Sequence, residues 1–138
     1  MLRHWGRLID IGFTRPPPQD STEPKIKGRL QGIEAVIDKD LTAGLLASDL
    51  HAEKFVILTD VPHVSTGFAT SLQRPIMSLD GKTARRLLDS GEFPLGSMGT
   101  KVEAALHYAL TTGCRALITD LEHLDDALAG REGTWIGD

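Results

Sequence analysis

Six consecutive residues, Gly96-Ser97-Met98-Gly99-Thr100-Lys101, combine small side chains with a terminal ammonium and stand directly before a strongly helical run. Small residues let a backbone approach an anion, the first N–H groups of a helix lack internal partners, and Lys101 adds a mobile cation at the same end. The chemistry this suits is the holding of phosphate. It is not a Walker A loop, which needs Gly-Lys followed by Ser or Thr, because Lys101 stands between Thr100 and Val102. The same residues also suit a loop that only turns the chain into a helix, glycine being the default turn residue.

A second set of polar residues closes apolar runs: Asp38, Lys39 and Asp40 follow one, and Thr59 and Asp60 end another. In open α/β sheets ligands gather beyond the carboxyl ends of the strands, which is where both groups would fall. Phosphoryl transfer asks for positioning, for cations against the transferred charge, and for carboxylates that orient those cations or a magnesium ion. Lys39 and Lys101 can supply the cations and Asp40 the carboxylate. Plainer roles exist for each: Asp40 as a helix cap, Lys39 as a solvated side chain, Asp60 as the start of a turn. His51, His63, His107 and His123 are scattered without metal-ligand spacing, so no metal site is expected.

The elements that must position these residues follow from periodicity. Ile33-Glu34-Ala35-Val36-Ile37 suits a short strand, and a helix follows it, with Asp40 placed to cap the first turn and Leu41, Leu45, Leu46 and Leu50 as its apolar face. The run 55–59 is a second strand, and strand, helix, strand with two-sided burial argues for a parallel sheet. Residues 61–77, with Pro62, Gly67 and Pro75, fit a loop or hairpin excursion. Ser78 is expected to cap a helix through Ala84, Leu87 and Leu88 that stops at Gly91. Val102, Ala105, Leu106 and Ala109 mark the best helix, stopped by Gly113; a strand over 115–119, a helix over 121–129 and a strand over 134–136 complete the order. This is an α/β chain with an open, mainly parallel sheet.

Composition narrows the classes. With 138 residues the chain has the length of one domain, and 25% charged with 41% hydrophobic residues is ordinary for a globular protein. A net charge of −4 offers no basic field for nucleic acid, and no apolar run is long enough for a membrane span. Cys114 is the only cysteine, which excludes an internal disulfide and suits a cytoplasmic location. Residues 1–27, with Pro16-Pro17-Pro18 and a polar run after them, read as an atypical leader whose order stays open; residues 28–138 read as the domain.

Gly32-Ile33-Glu34-Ala35-Val36-Ile37-Asp38-Lys39-Asp40-Leu41, then Ile57-Leu58-Thr59-Asp60-Val61, then Gly91-Glu92-Phe93 and Gly96 through Ala105 closely resemble the C-terminal half of carbamate kinases, of the amino acid kinase superfamily. The resemblance implies a three-layer αβα sandwich whose C-terminal half holds ATP or ADP, in a dimeric enzyme of arginine metabolism that exchanges phosphate between ATP and carbamate. By that likeness Lys101 contacts the nucleotide phosphates, Asp40 orients the catalytic lysines and Lys39 adds a second charge. Thr59, Asp60 and Val61 with Met98 border the nucleoside, Gly96, Ser97 and Gly99 line the phosphates, and Mg2+ arrives with ATP.

Departures accompany the matches. Thr100 stands where the family usually has Pro, Pro62 and His63 replace Asp-Ala after Val61, and Ala69 and Ser71 replace Gly and Pro in the excursion. Carbamate kinases are considerably longer, and the part without a counterpart here carries a first Gly-rich phosphate loop, a further lysine and the carbamate site. The expectation is therefore a chain truncated to the nucleotide-binding half, with carbamate or carbamoyl phosphate as partner only if complete. Two other readings stay open: a non-catalytic nucleotide-binding module that pairs with a separate N-terminal half, and a remnant without independent function.

Overall fold

A computed structural model describes residues 37–94 and 96–138 of the chain. The leader and, apart from Ile37, the strand expected over 33–37 lie outside the described residues. Helix α1 spans Lys39–Asp49 and begins at Asp38, whose extended backbone and carboxylate, accepting from the N–H groups of Asp40 and Leu41 at 2.8 and 3.1 Å, make it the cap. Asp40 was expected in that role; it lies in the first turn, two residues after the cap, where a negative charge still suits the helix start and its side chain is released for another partner.

The apolar face expected on α1 is also displaced. Its buried residues are Gly44 and Ser48, with Leu41 and Ala47 partly covered, while Leu46 and Leu50 face outward. The reason lies in helix α3, Met98–Thr112, against which α1 packs. A Cβ on Gly44 would stand 3.0 Å from the carbonyl oxygen of Ala104, a closeness that a leucine at this crossing would forbid. Small residues, rather than large ones, set the contact.

Strands β1 (Phe55–Thr59), β4 (Ser78–Leu79), β5 (Ala116–Asp120) and β6 (Thr134–Ile136) form one sheet in the order β1-β5-β6-β4. β1 pairs with β5 and β4 with β6 in parallel, while β5 and β6 are antiparallel, so the sheet is mainly parallel. Strands β2 (Val64–Thr66) and β3 (Arg74–Ile76) make the hairpin excursion. Ser78 does not cap the next helix. It pairs with Trp135, because Leu79 gains full burial in the sheet, and Asp80 caps α2 (Gly81–Asp89) by accepting the Thr83 N–H at 2.9 Å. That bond from Thr83 holds the Asp80 carboxyl below the usual carboxylate range.

Between Asp120 and the short helix α4, Leu124–Leu128, the chain turns where a helix from 121 was expected. The Asp120 carboxylate accepts the His123 N–H at 2.8 Å and so closes a turn over 121–123 before helix can form. Helix α3 carries the core. Val102, Ala104, Ala105, Leu106 and Tyr108 have no exposed surface, and Gly113 ends the helix in the left-handed conformation with φ 73°. The buried arc is wider than the apolar stripe in sequence because α1 and α2 pack on α3 as well as the sheet does.

Alternation along β5 sets the layers. Ala116 and Ile118 join the cluster around α3, whereas Leu117 meets the Gly133 and Ala127 side, next to α4. Helices therefore cover both faces of the sheet, the αβα arrangement expected. No helix among the described residues is long and apolar enough to cross a membrane.

Candidate functional site

β1 ends at the mouth of a cleft of about 450 Å3. Thr59, Asp60 and Val61 line it, the β2–β3 hairpin brings Phe68, and the start of α3 brings Ser97 and Met98. The continuous apolar run Phe55-Val56-Ile57-Leu58 holds β1 against β5, so the polar residues that follow it emerge at the sheet's carboxyl edge. There the Thr59 hydroxyl donates to Asp60 Oδ1 at 3.0 Å. Five of the residues proposed from sequence to border a nucleoside or its phosphates thus line one cavity.

Lys101, Asp40 and Lys39 form a second group. Lys101 Nζ donates to Asp40 Oδ2 at 2.6 Å, with both side chains only 14% and 13% exposed, and Lys39 Nζ lies 3.7 Å from the same oxygen while its chain is largely in solvent. The Gly44–Ala104 contact sits one turn beyond each member of the buried pair, on α1 and on α3. The tight helix crossing therefore fixes the distance at which Asp40 meets Lys101. Two ammonium groups around one carboxylate leave a local positive charge. Lys101 follows Ser97 and Met98 by about one helical turn, roughly 5 Å along α3, and is not itself among the residues that line the cleft.

The glycines of the loop have different tasks. Gly96 has φ 75° and open space where a Cβ would stand, as a backbone approached by a ligand requires. Gly99 is a packing residue: a Cβ there would lie 3.0 Å from the Pro94 carbonyl oxygen, to which its own N–H donates at 3.1 Å. One early N–H of α3 is thus taken by the protein, contrary to the simple picture of an open helix end. Ser97 occupies the cap position without a side-chain bond to the helix, which leaves its hydroxyl uncommitted to capping.

Sequence reasoning marked His63 as a departure after Val61 and passed over Glu132 and the Asp120–His123 pair at this edge. His63 lines the cleft, with Nε2 3.0 Å from Glu132 Oε2 but out of line for a hydrogen bond. His123 Nδ1 lies 2.8 Å from Asp120 Oδ1. Burial works against the Asp120 charge, yet the backbone and ring bonds from His123 outweigh it and lower the carboxyl's pKa, while the same carboxylate raises that of His123. The i,i+3 spacing of Asp120 and His123 at a strand end was the available signal. For the pairing of His63 with Glu132 there was none, since the two meet only in the folded chain.

Residues 22–120 match the amino acid kinase family, and the chain belongs to that family. Within it the similarity is to carbamate kinases. The chain is 42% identical over 112 residues to the carbamate kinase of Thermoplasma volcanium, covering 81% of this chain and 37% of that protein. It is 42% identical over 107 residues to the carbamate kinase of Halobacterium salinarum, covering 78% of this chain and 35% of that one. Among solved structures, carbamate kinase from Giardia lamblia bound to AMP-PNP matches with a TM-score of 0.74 at 38% identity, over 78% of this chain and 38% of that chain. The chain thus spans little more than a third of these relatives' length.

Proposed function

We propose that the cleft between β1, the hairpin and the start of α3 holds the nucleoside of ATP or ADP, with the phosphates directed toward Lys101. The protein would serve phosphoryl transfer between ATP and carbamate, giving ADP and carbamoyl phosphate reversibly. The observation that carries this reading is an apolar-walled cleft lined by Thr59, Asp60, Val61, Ser97 and Met98, with Lys101, held by Asp40 at 2.6 Å, about one helical turn further along α3. In it Lys101 stabilises charge on the transferred phosphoryl group, Asp40 holds Lys101 in place and Lys39 adds a second cation. Gly96 and Ser97 border the phosphates, while Gly99 acts by letting the helix start pack under Pro94. Met98 and Val61 flank the nucleoside.

Mg2+ belongs to this reading only as the ion that accompanies the nucleotide. Among the described residues no group of three or more His, Cys, Asp or Glu could hold a metal, and Mg2+ is commonly bound through substrate phosphates and water. A cytoplasmic location, arginine metabolism, and a homodimer or a separate N-terminal half as partner are further parts of the proposal.

The share of the relatives that is covered, 35–37%, favours a second reading in which the chain binds nucleotide without turnover. Titration of the chain with Mg2+-ADP, followed by a carbamoyl phosphate assay, separates the two. Binding that Lys101→Ala and Asp60→Ala weaken supports the site, and turnover lost in Lys101→Ala supports catalysis. A folded chain that binds no ADP rejects the proposed site.

A further inference from the structure

The cleft's two walls are joined by one carboxylate. Glu92 Oε1 accepts the N–H of Gly67 at 2.6 Å, across 25 residues of sequence. Gly67 precedes Phe68 at the hairpin's turn, and Glu92 precedes Phe93 and Pro94, so the bond spans from the hairpin wall to the segment that leads into Gly96. Such a short contact from an N–H to an ionised acceptor is among the stronger hydrogen bonds of a fold.

The backbone at Glu92 is held for this task. At the end of α2, Gly91 adopts φ 75°, its N–H donates to the Leu88 carbonyl at 3.1 Å, and the Glu92 N–H donates to the Leu87 carbonyl at 3.1 Å. This is the paired bonding that closes many helices, and the residue in the Glu92 position commonly carries an apolar side chain that packs back on the helix. Here it carries a carboxylate, which reaches the hairpin. Gly67 is equally constrained: φ is 60° and a Cβ would stand 3.0 Å from the Leu72 carbonyl oxygen.

We infer that Glu92 is a positioning residue for the nucleoside: its bond to Gly67 clasps the hairpin wall against the segment before the phosphate loop and sets the width of the cleft. This rests on the reading of the cleft as a nucleotide site. The clasp acts on the nucleoside and leaves the charged group at Lys101 alone, which gives it a distinct signature.

The test titrates the unmodified chain, Glu92→Met and Glu92→Gln with Mg2+-ADP and with inorganic tripolyphosphate, alongside thermal melts. Met keeps the side chain's length and suits the helix-closing position, so Glu92→Met should melt near the unmodified chain, bind ADP about tenfold more weakly and hold tripolyphosphate within about twofold. Glu92→Gln retains an acceptor oxygen and should bind ADP nearly as the unmodified chain does. Undiminished ADP binding by Glu92→Met overturns the clasp, as does equal loss of both ligands, or a Glu92→Gln as weak as Glu92→Met. If the unmodified chain itself fails to bind ADP, the nucleotide reading falls and the clasp's role with it. Should Glu92→Met not fold, hydrogen exchange at the Gly67 amide of the unmodified chain decides: slower exchange on adding ADP supports the clasp, and unchanged exchange overturns it.

Discussion

Lys101 and Asp40, 61 residues apart in sequence, meet at 2.6 Å through side chains that are almost wholly covered. Removing Asp40 strands the covered Lys101 ammonium, and removing Lys101 leaves the Asp40 carboxylate with only the solvent-exposed Lys39 ammonium at 3.7 Å, whereas removing both strands neither. Asp40→Ala and Lys101→Ala should each lower unfolding stability by about 3 kcal/mol, and the double variant by much less than their sum. Urea unfolding of the four proteins measures the coupling. Additive losses would mean that the pair does not act as a unit.

Gly44→Ala tests the crossing that sets this pair. Helix propensity alone favours Ala over Gly by about 1 kcal/mol. The new Cβ would press on the Ala104 carbonyl at 3.0 Å, within a helix that cannot yield locally, and overpacking of this kind costs about 1–3 kcal/mol. Net destabilisation is expected, together with weaker Mg2+-ADP binding as Asp40 and Lys101 part. A stabilised variant would show that the helices separate without consequence.

Thr134 ties the hairpin to the sheet from below. Its fully buried hydroxyl accepts the Val64 N–H at 2.9 Å and donates to the Ile76 carbonyl. Thr134→Val keeps the shape but leaves one buried N–H and one part-buried carbonyl without that partner, and should cost about 2 kcal/mol. Amide exchange at Val64 should rise together with the loss. Unchanged exchange there would assign the hairpin's anchorage elsewhere.

The Asp120–His123 pair makes a pH-dependent contribution to stability. The raised pKa of His123 gives stabilisation that is complete below about pH 6.5 and is lost as pH rises through the folded value. The lowered pKa of Asp120 gives stabilisation present above about pH 3.9 and lost as pH falls through its folded value. The melting difference between the unmodified chain and His123→Ala should therefore be largest near about pH 5 and shrink toward about pH 9. It should be small throughout, because His123 is 40% exposed and solvent screens the pair. Comparing the two proteins at each pH cancels the opposite contribution of His107, whose pKa burial lowers despite Asp49. A difference that stays flat with pH would exclude the pair as its source.

Much of the fold was legible because local pattern and final burial agree. The run Phe55–Thr59 reads as a strand and is one, Gly113 reads as a helix stop and adopts the left-handed conformation, and Thr134–Ile136 forms the last strand. Where an element's boundary depended on a distant partner, pattern failed. Ser78 resembles a helix cap until Leu79 finds its place beside Ile136, and Asp40 resembles one until Asp38 takes the position and Lys101 takes the carboxylate.

By itself the sequence determined the kinds of groups present and their order: the small-residue loop before Lys101, the polar tips after apolar strands, and the motifs shared with carbamate kinases. Those depend on near neighbours, through turns, caps and periodicity. Only the tertiary structure decided which groups meet. The sequence marks leucines as the inner face of α1, yet it is the missing Cβ of Gly44 that admits Ala104 and brings Asp40 to Lys101. Glu92 stands in the sequence only as part of a shared motif, yet its carboxylate spans to Gly67. Contacts of that kind arise when packed elements fix the distance between residues far apart in the chain, and no local preference encodes that distance.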